Sequence, residues 1–185
     1  MYKRNPFLVL LSLLFLSIGC SDGQEGLKNP ADTLPPPTRS GKQVFACLID
    51  GKPFISDTTG LGKPSAFYSF SDGAYTLDIG GSKYRKQPGI SVGIIADAVA
   101  ALTETEYDLV TQGRGKFSAG YVLWGDGFPA PVGTRDKMPG KLIITRFDQD
   151  AQIISGTFEF ILFSIDDSQI HVTDGRFDII YKDQS

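Results

Sequence analysis

Beyond Lys42 the apolar residues recur at every second position more often than at helical spacing, the signature of strands with one buried face. Tyr75, Leu77 and Ile79 alternate with Thr76 and Asp78, and the run ends at Gly80-Gly81. The same pattern predicts strands near residues 43–49, 65–70, 90–95, 107–111, 117–124, 141–147, 153–165, 169–173 and 176–182. Asp50-Gly51 and Asp72-Gly73 mark two-residue hairpins, because Asp and Gly tolerate the positive φ such turns need; Asp166-Asp167 and Asp174-Gly175 are further turn candidates. Ile94 to Leu102 (IIADAVAAL) is the one stretch rich in helix formers, and it is expected to give a turn or two of helix closing one end of the sheet. About ten short strands with turn-sized gaps predict an all-β fold, a single antiparallel β-sandwich or flattened barrel, since either arrangement buries each alternating face.

The first 42 residues read differently. Lys3 and Arg4 precede an apolar run of 12 residues, Phe7 to Ile18, followed at once by Gly19, Cys20 and the polar Ser21-Asp22-Gly23. A spanning helix takes about 20 residues, so the run reads as a secretory signal rather than a permanent transmembrane segment. Leu16-Ser17-Ile18-Gly19-Cys20 resembles the lipobox of Gram-negative lipoproteins, with Ser17 standing where leucine is commoner. The resemblance implies a diacylglycerol on the Cys20 thiol, loss of residues 1–19 and acylation of the new amine. At about 0.8 kcal/mol per buried methylene, three acyl chains hold a protein at a membrane permanently. Ser21, rather than an aspartate, after the cysteine implies the outer membrane, and Asp22 and Glu25 resemble the acidic patches that send some such lipoproteins to the cell surface. Residues 20–42, with prolines at 30, 35, 36 and 37 and few apolar side chains, are expected to form a lipid-anchored flexible tether. Its r.m.s. span is on the order of 25 Å, and residues 43–185 are left as one all-β domain.

Composition agrees with strands and turns: 20 Phe and Tyr suit pleated surfaces, and 21 Gly supply turns. With Lys3 and Arg4 removed, 16 basic side chains face 21 acidic ones, a net charge of −5. Without clustered Lys and Arg the chain has no long-range attraction for nucleic acid.

Few residues invite chemistry. His171 is the single histidine, and alternation with Ile170 and Val172 turns it outward; no G-x-S-x-G elbow accompanies it, so a serine-hydrolase triad is not supported. The chain is also too poor in His and Cys for a zinc site. Cys47 is the only thiol left once Cys20 is acylated, and it reads as a small apolar core residue. Asp148/Asp150 and Asp166/Asp167 sit at expected hairpin tips, where acidic residues serve the backbone; calcium ligation or a glycosidase carboxylate pair are the alternatives. Gly80 to Lys86 (GGSKYRK) lacks the G-x-x-x-x-G-K-[ST] spacing of a phosphate loop and reads as a solvated hairpin tip. Trp124-Gly125-Asp126-Gly127-Phe128-Pro129 places the only tryptophan at a turn-rich strand end, where it either plugs the open end of the fold or contacts a ligand.

Ile154-Ser155-Gly156-Thr157-Phe158-Glu159-Phe160, followed by Gly175-Arg176-Phe177-Asp178, is similar to the "SGTF.F" and "GRFD" endings of an uncharacterised family of small Gram-negative lipoproteins. The opening strand, Asp50-Gly51-Lys52 turn and Phe54 strand resemble theirs as well. The resemblance implies an all-β lipoprotein and no mechanism. The expectation is therefore a non-catalytic binding module at the outer membrane, tethered by acyl chains on Cys20. Trp124, Phe128, Tyr84 and Arg85 are the candidate contacts for a glycan or envelope-protein partner. A structural or accessory subunit of an outer-membrane complex would instead show an apolar patch on a sheet face. A hydrolase would show titratable groups converging in a cleft. No catalytic residue, cofactor or metal ligand is assigned.

Overall fold

The structure, a computed structural model, describes residues 29–84, 88–125, 130–164 and 167–183. The expected all-β architecture is present as one continuous curled sheet, a half-barrel, rather than two stacked sheets. Its strands are β1 (Val44–Ile49), β2 (Lys52–Ile55), β3 (Ser65–Ser71), β4 (Ala74–Lys83), β5 (Gly89–Val99) and β6 (Glu106–Leu109). They continue as β7 (Lys116–Trp124), β8 (Ala130–Gly133), β9 (Gly140–Asp148), β10 (Ile153–Phe163), β11 (Gln169–Ile180) and β12 (Lys182–Asp183). The order is β12-β3-β4-β5-β7-β6-β9-β10-β11-β1-β2, with β8 paired to β7 off this path. The sheet is not wholly antiparallel: β12 runs parallel to β3 and β6 parallel to β7. β12 follows β11 after only Tyr181, so its pairing with β3 stitches the two regions together and curls the sheet around its core. The free edge at β2 carries Lys52 and Pro53, residues that discourage further strand pairing.

Asp50-Gly51 and Asp72-Gly73 form the expected hairpins, with all four residues at positive φ and Ile49↔Lys52 and Ser71↔Ala74 flanking them. Two expectations are corrected. Ile94 to Leu102 is not helical: Val92, Ile94 and Ala96 point inward, Ile95 and Asp97 outward, residues 94–99 continue β5, and residues 100–102 follow it without regular structure. Helix propensity gives way there to β-branched side chains at strand period. Asp174-Gly175 is not a turn either. It is a bulge inside β11, with Asp174 at φ 53°, so the two expected strands are one.

Aromatic rings fill the core. Phe158 stacks on Phe45, Phe160 and Phe177 at 5.1, 5.7 and 6.3 Å between centroids, and Tyr68 packs with Tyr75, Phe147 and Tyr181. Two motif glycines are required by this packing. A Cβ on Gly156 would lie 2.3 Å from the Ile143 carbonyl oxygen, and one on Gly175 would lie 2.3 Å from the Phe158 ring.

The largest departure concerns the expected tether. Residues 29–42 are docked along the outer face of β1 as a strap, although they lack a core of their own. A 3-10 turn at Pro30–Thr33 brings Ala31 and the buried Leu34 onto Ala46 and Leu48. The Pro35 carbonyl accepts from the Arg176 guanidinium. Arg39 donates to the Thr145 carbonyl, and its own carbonyl accepts from Arg146. The clamp is Asp178, only 1% exposed. Its Oδ1 accepts from the Gly41 N–H and the Ser155 hydroxyl, both at 2.7 Å. Its Oδ2 accepts from the Thr38 hydroxyl at 2.6 Å and from the Ser40 and Lys42 N–H groups at 3.0 Å. Backbone donors from an irregular segment thus stand in for the polar partners a buried charge requires. Ser155 and Asp178 belong to the two motifs quoted above, so those motifs build the latch and the floor beneath it.

Burial by itself would raise the Asp178 pKa, but the hydrogen bonds from Thr38, Lys42, Ser40 and Ser155 outweigh it and hold the carboxyl well below the usual carboxylate range. A pKa lower in the folded than in the unfolded state contributes stability above about pH 4 that fades as the pH falls towards the folded value. The denaturant midpoint should therefore drop steeply below about pH 4. Asp178→Asn should destabilise the protein at pH 7 by about 3 kcal/mol and flatten that acid limb. Midpoints measured from pH 2 to pH 7 on both proteins check this, and parallel curves would contradict the latch.

Candidate functional site

Alternation along β4, β5 and β7 decides which side chains face out from that wall. Ile90, Val92 and Ile94 point inward, so Ser91 and Gly93 point outward; their register partners Ser82, Gly80, Val122 and Gly120 share the outer face. Trp124 ends β7 opposite Gly89, and Tyr84 follows the last residue of β4. The structure brings these two sequence candidates together although 39 residues separate them in the chain. Their rings lie 6.1 Å apart at 63°.

Ser91 organises the pair. Its Oγ accepts from Trp124 Nε1 at 2.8 Å, lies 3.3 Å from the Tyr84 hydroxyl and shares a hydrogen bond with Ser82 Oγ at 2.7 Å. The Tyr84 N–H donates to Asp57 Oδ2. The Tyr84 ring lies against Gly89, where a Cβ would meet it at 3.1 Å and would meet Trp124 Cβ, its cross-strand neighbour, at 3.4 Å. Trp124 is 39% exposed and Tyr84 37%. Trp124 does not plug the barrel. It stands on the outer wall with one edge fixed by a hydrogen bond.

Two rows along from the ledge, Gly80, Gly93, Gly120 and Gly133 stand in register across β4, β5, β7 and β8, leaving a band of bare backbone. The outer wall therefore offers two oriented rings and a serine pair beside a strip without side chains. Stacking and hydroxyl hydrogen bonding are the chemistry this arrangement can perform. Arg85 and Phe128, the other two contact candidates, and Cys20 lie outside the described residues.

The remaining candidates have structural partners. Cys47 is fully buried in the core, and desolvation pushes its thiol up to about 12, which leaves no thiolate for redox chemistry. His171 faces out from β11, and its backbone N–H donates to Asp50 Oδ1. Asp148 accepts from the Ala151 N–H and pairs with Arg146 at 2.7 Å, and these contacts lower its pKa. Asp167 faces Arg135 at 3.3 Å. Among the described residues no three His, Cys, Asp or Glu side chains converge as a metal site. Sequence reasoning missed Ser91, whose only mark is a polar residue at an outward strand position, and missed the clamp role of Asp178. No family model, curated protein or solved structure matches this chain.

The outer position of Trp124 has a measurable consequence. Trp124→Ala should change the unfolding free energy by less than about 1 kcal/mol, as for other surface substitutions. Phe158→Ala, which empties the ring stack, should cost about 3–5 kcal/mol. Chemical denaturation of the two variants distinguishes a surface ledge from a plug, which would make the two losses comparable.

Proposed function

We propose that the protein is a non-catalytic, lipid-anchored binding module of the outer membrane that presents Trp124 and Tyr84 to an envelope glycan. The observation that carries this reading is the exposed aromatic pair itself. A lone tryptophan in a domain with a ring-filled core is held outside that core, with its indole N–H fixed by Ser91 and its ring oriented by Tyr84. Sugars present apolar ring faces edged by hydroxyls, which complement aromatic faces bordered by Ser82 and Ser91.

The placement of the strap supports the same reading. β1 and β4 face each other across the core, since a Cβ on Gly81 would come within 3.1 Å of Phe45. The strap covers the outer side of β1, and the ledge belongs to the outer side of β4, β5 and β7. Asn29, the described residue nearest Cys20 in sequence, thus belongs to one wall and the aromatic pair to the other. Acylation of Cys20, outer-membrane placement and membership of the small-lipoprotein family belong to this proposal and rest on the lipobox-like and "SGTF.F … GRFD" residues. An envelope-protein partner would use the same ledge.

Because Trp124 is the only tryptophan, intrinsic fluorescence reports on the site directly. The test uses the full chain with Cys20→Ala, titrated with muropeptides and with lipopolysaccharide core oligosaccharide. The reading expects a saturable emission shift with one of them. It also expects calorimetric affinity to fall about tenfold or more in Trp124→Ala, which converts to about 1.4 kcal/mol. No saturable shift with either glycan, or binding indifferent to Trp124→Ala, would contradict the proposal.

A further inference from the structure

The molecule holds a cleft that the aromatic ledge does not use. It lies between the β1–β2 hairpin and the facing ends of β4 and β5, and its volume is about 350 Å³, within the range of small-ligand sites. Ile49, Pro53, Phe54, Pro88 and Ile90 give it apolar walls. Leu123, paired with Ile90 in register, is 42% exposed and extends the apolar character of the strand end beside it.

Three charged residues stand at this cleft. Asp50 already serves its own hairpin by accepting the His171 N–H. Lys52 and Lys83 make no ion pair among the described residues. Two ammonium groups against one engaged carboxylate leave the cleft with net positive charge on a protein whose formal charge is −3. The outer groove beside the strap differs. There Lys141 is already held by Glu106 at 2.6 Å and Asp108 at 2.9 Å, so its charges answer one another and ask for no ligand.

We infer that the cleft between the β1–β2 hairpin and the ends of β4 and β5 binds a single aliphatic chain with an anionic head group, the apolar walls taking the chain and Lys52 and Lys83 the head. Apolar burial supplies affinity in proportion to the chain enclosed. The lysines supply the preference for an anion, because charge-assisted hydrogen bonds are the stronger kind. A free fatty acid and a lysophospholipid share this chemistry.

The test measures calorimetric binding to the full chain carrying Cys20→Ala, with laurate and lauroyl-lysophosphatidylglycerol, each below its micelle concentration. Dodecanol and acetate serve as neutral-chain and head-only controls. The inference expects saturable binding of at least one anionic amphiphile and no binding of acetate. It expects dodecanol to bind about tenfold more weakly or worse, and Lys52→Glu/Lys83→Glu to weaken the anion by at least a similar factor. Whether laurate or the lysophospholipid binds tells the two sources apart. Lack of saturable binding by both, dodecanol binding as tightly as the anion, or affinity unchanged by the double charge reversal would overturn it. The dodecanol comparison needs no variant to fold.

Discussion

The carboxylate of Asp178 is the constraint from which the rest of the arrangement follows. An almost fully buried charge survives only when its oxygens are saturated, and here five donors do so, four of them from residues 38–42 and one from Ser155. The clamp turns a proline-rich segment with almost no apolar content into part of the fold. It also holds residues 38–42 against the sheet. From Cys20 to Asn29 there are nine residue steps, which reach at most about 30 Å when fully extended. Under the proposed anchoring at Cys20, the domain would be held closer to the membrane than a tether running to Lys42 would allow.

The same latch accounts for the two motifs that looked purely structural in the sequence. Gly156 and Gly175 allow the rings of Phe177 and Phe158 to sit against bare backbone, and Ser155 and Asp178 on adjacent strands meet in register. The bulge at Asp174 takes up the extra residue that β11 has against both neighbours, leaving Arg176 directed at the Pro35 carbonyl. Strand pairing, ring packing and capture of the strap therefore come from one short stretch of β10 and β11.

Much of the fold was legible from local pattern. Period-two alternation located most of the strands, and the two Asp-Gly pairs located their hairpins, because both signals depend on neighbours a few residues away. What was hidden depends on distant partners. Ile94 to Leu102 reads as helical until β4 and β7 are present to pair with it. Asp174-Gly175 reads as a turn until Phe158 demands the glycine. Residues 29–42 read as tether because nothing local shows that Asp178 will accept their amides. At the candidate site, Trp124 stood out as an aromatic at a turn-rich strand end and Tyr84 as a residue of an expected hairpin tip, whereas Ser91, which joins them, looked like any outward-facing strand serine.

The strap is part of the folded domain, and amide hydrogen exchange of Ser40, Gly41 and Lys42 tests that directly. If Asp178 clamps them, these three amides should open with free energies close to those of the β10 and β11 core amides. Exchange within about tenfold of the unstructured-chain rate, while β10 and β11 stay protected, would show a free tether and contradict it.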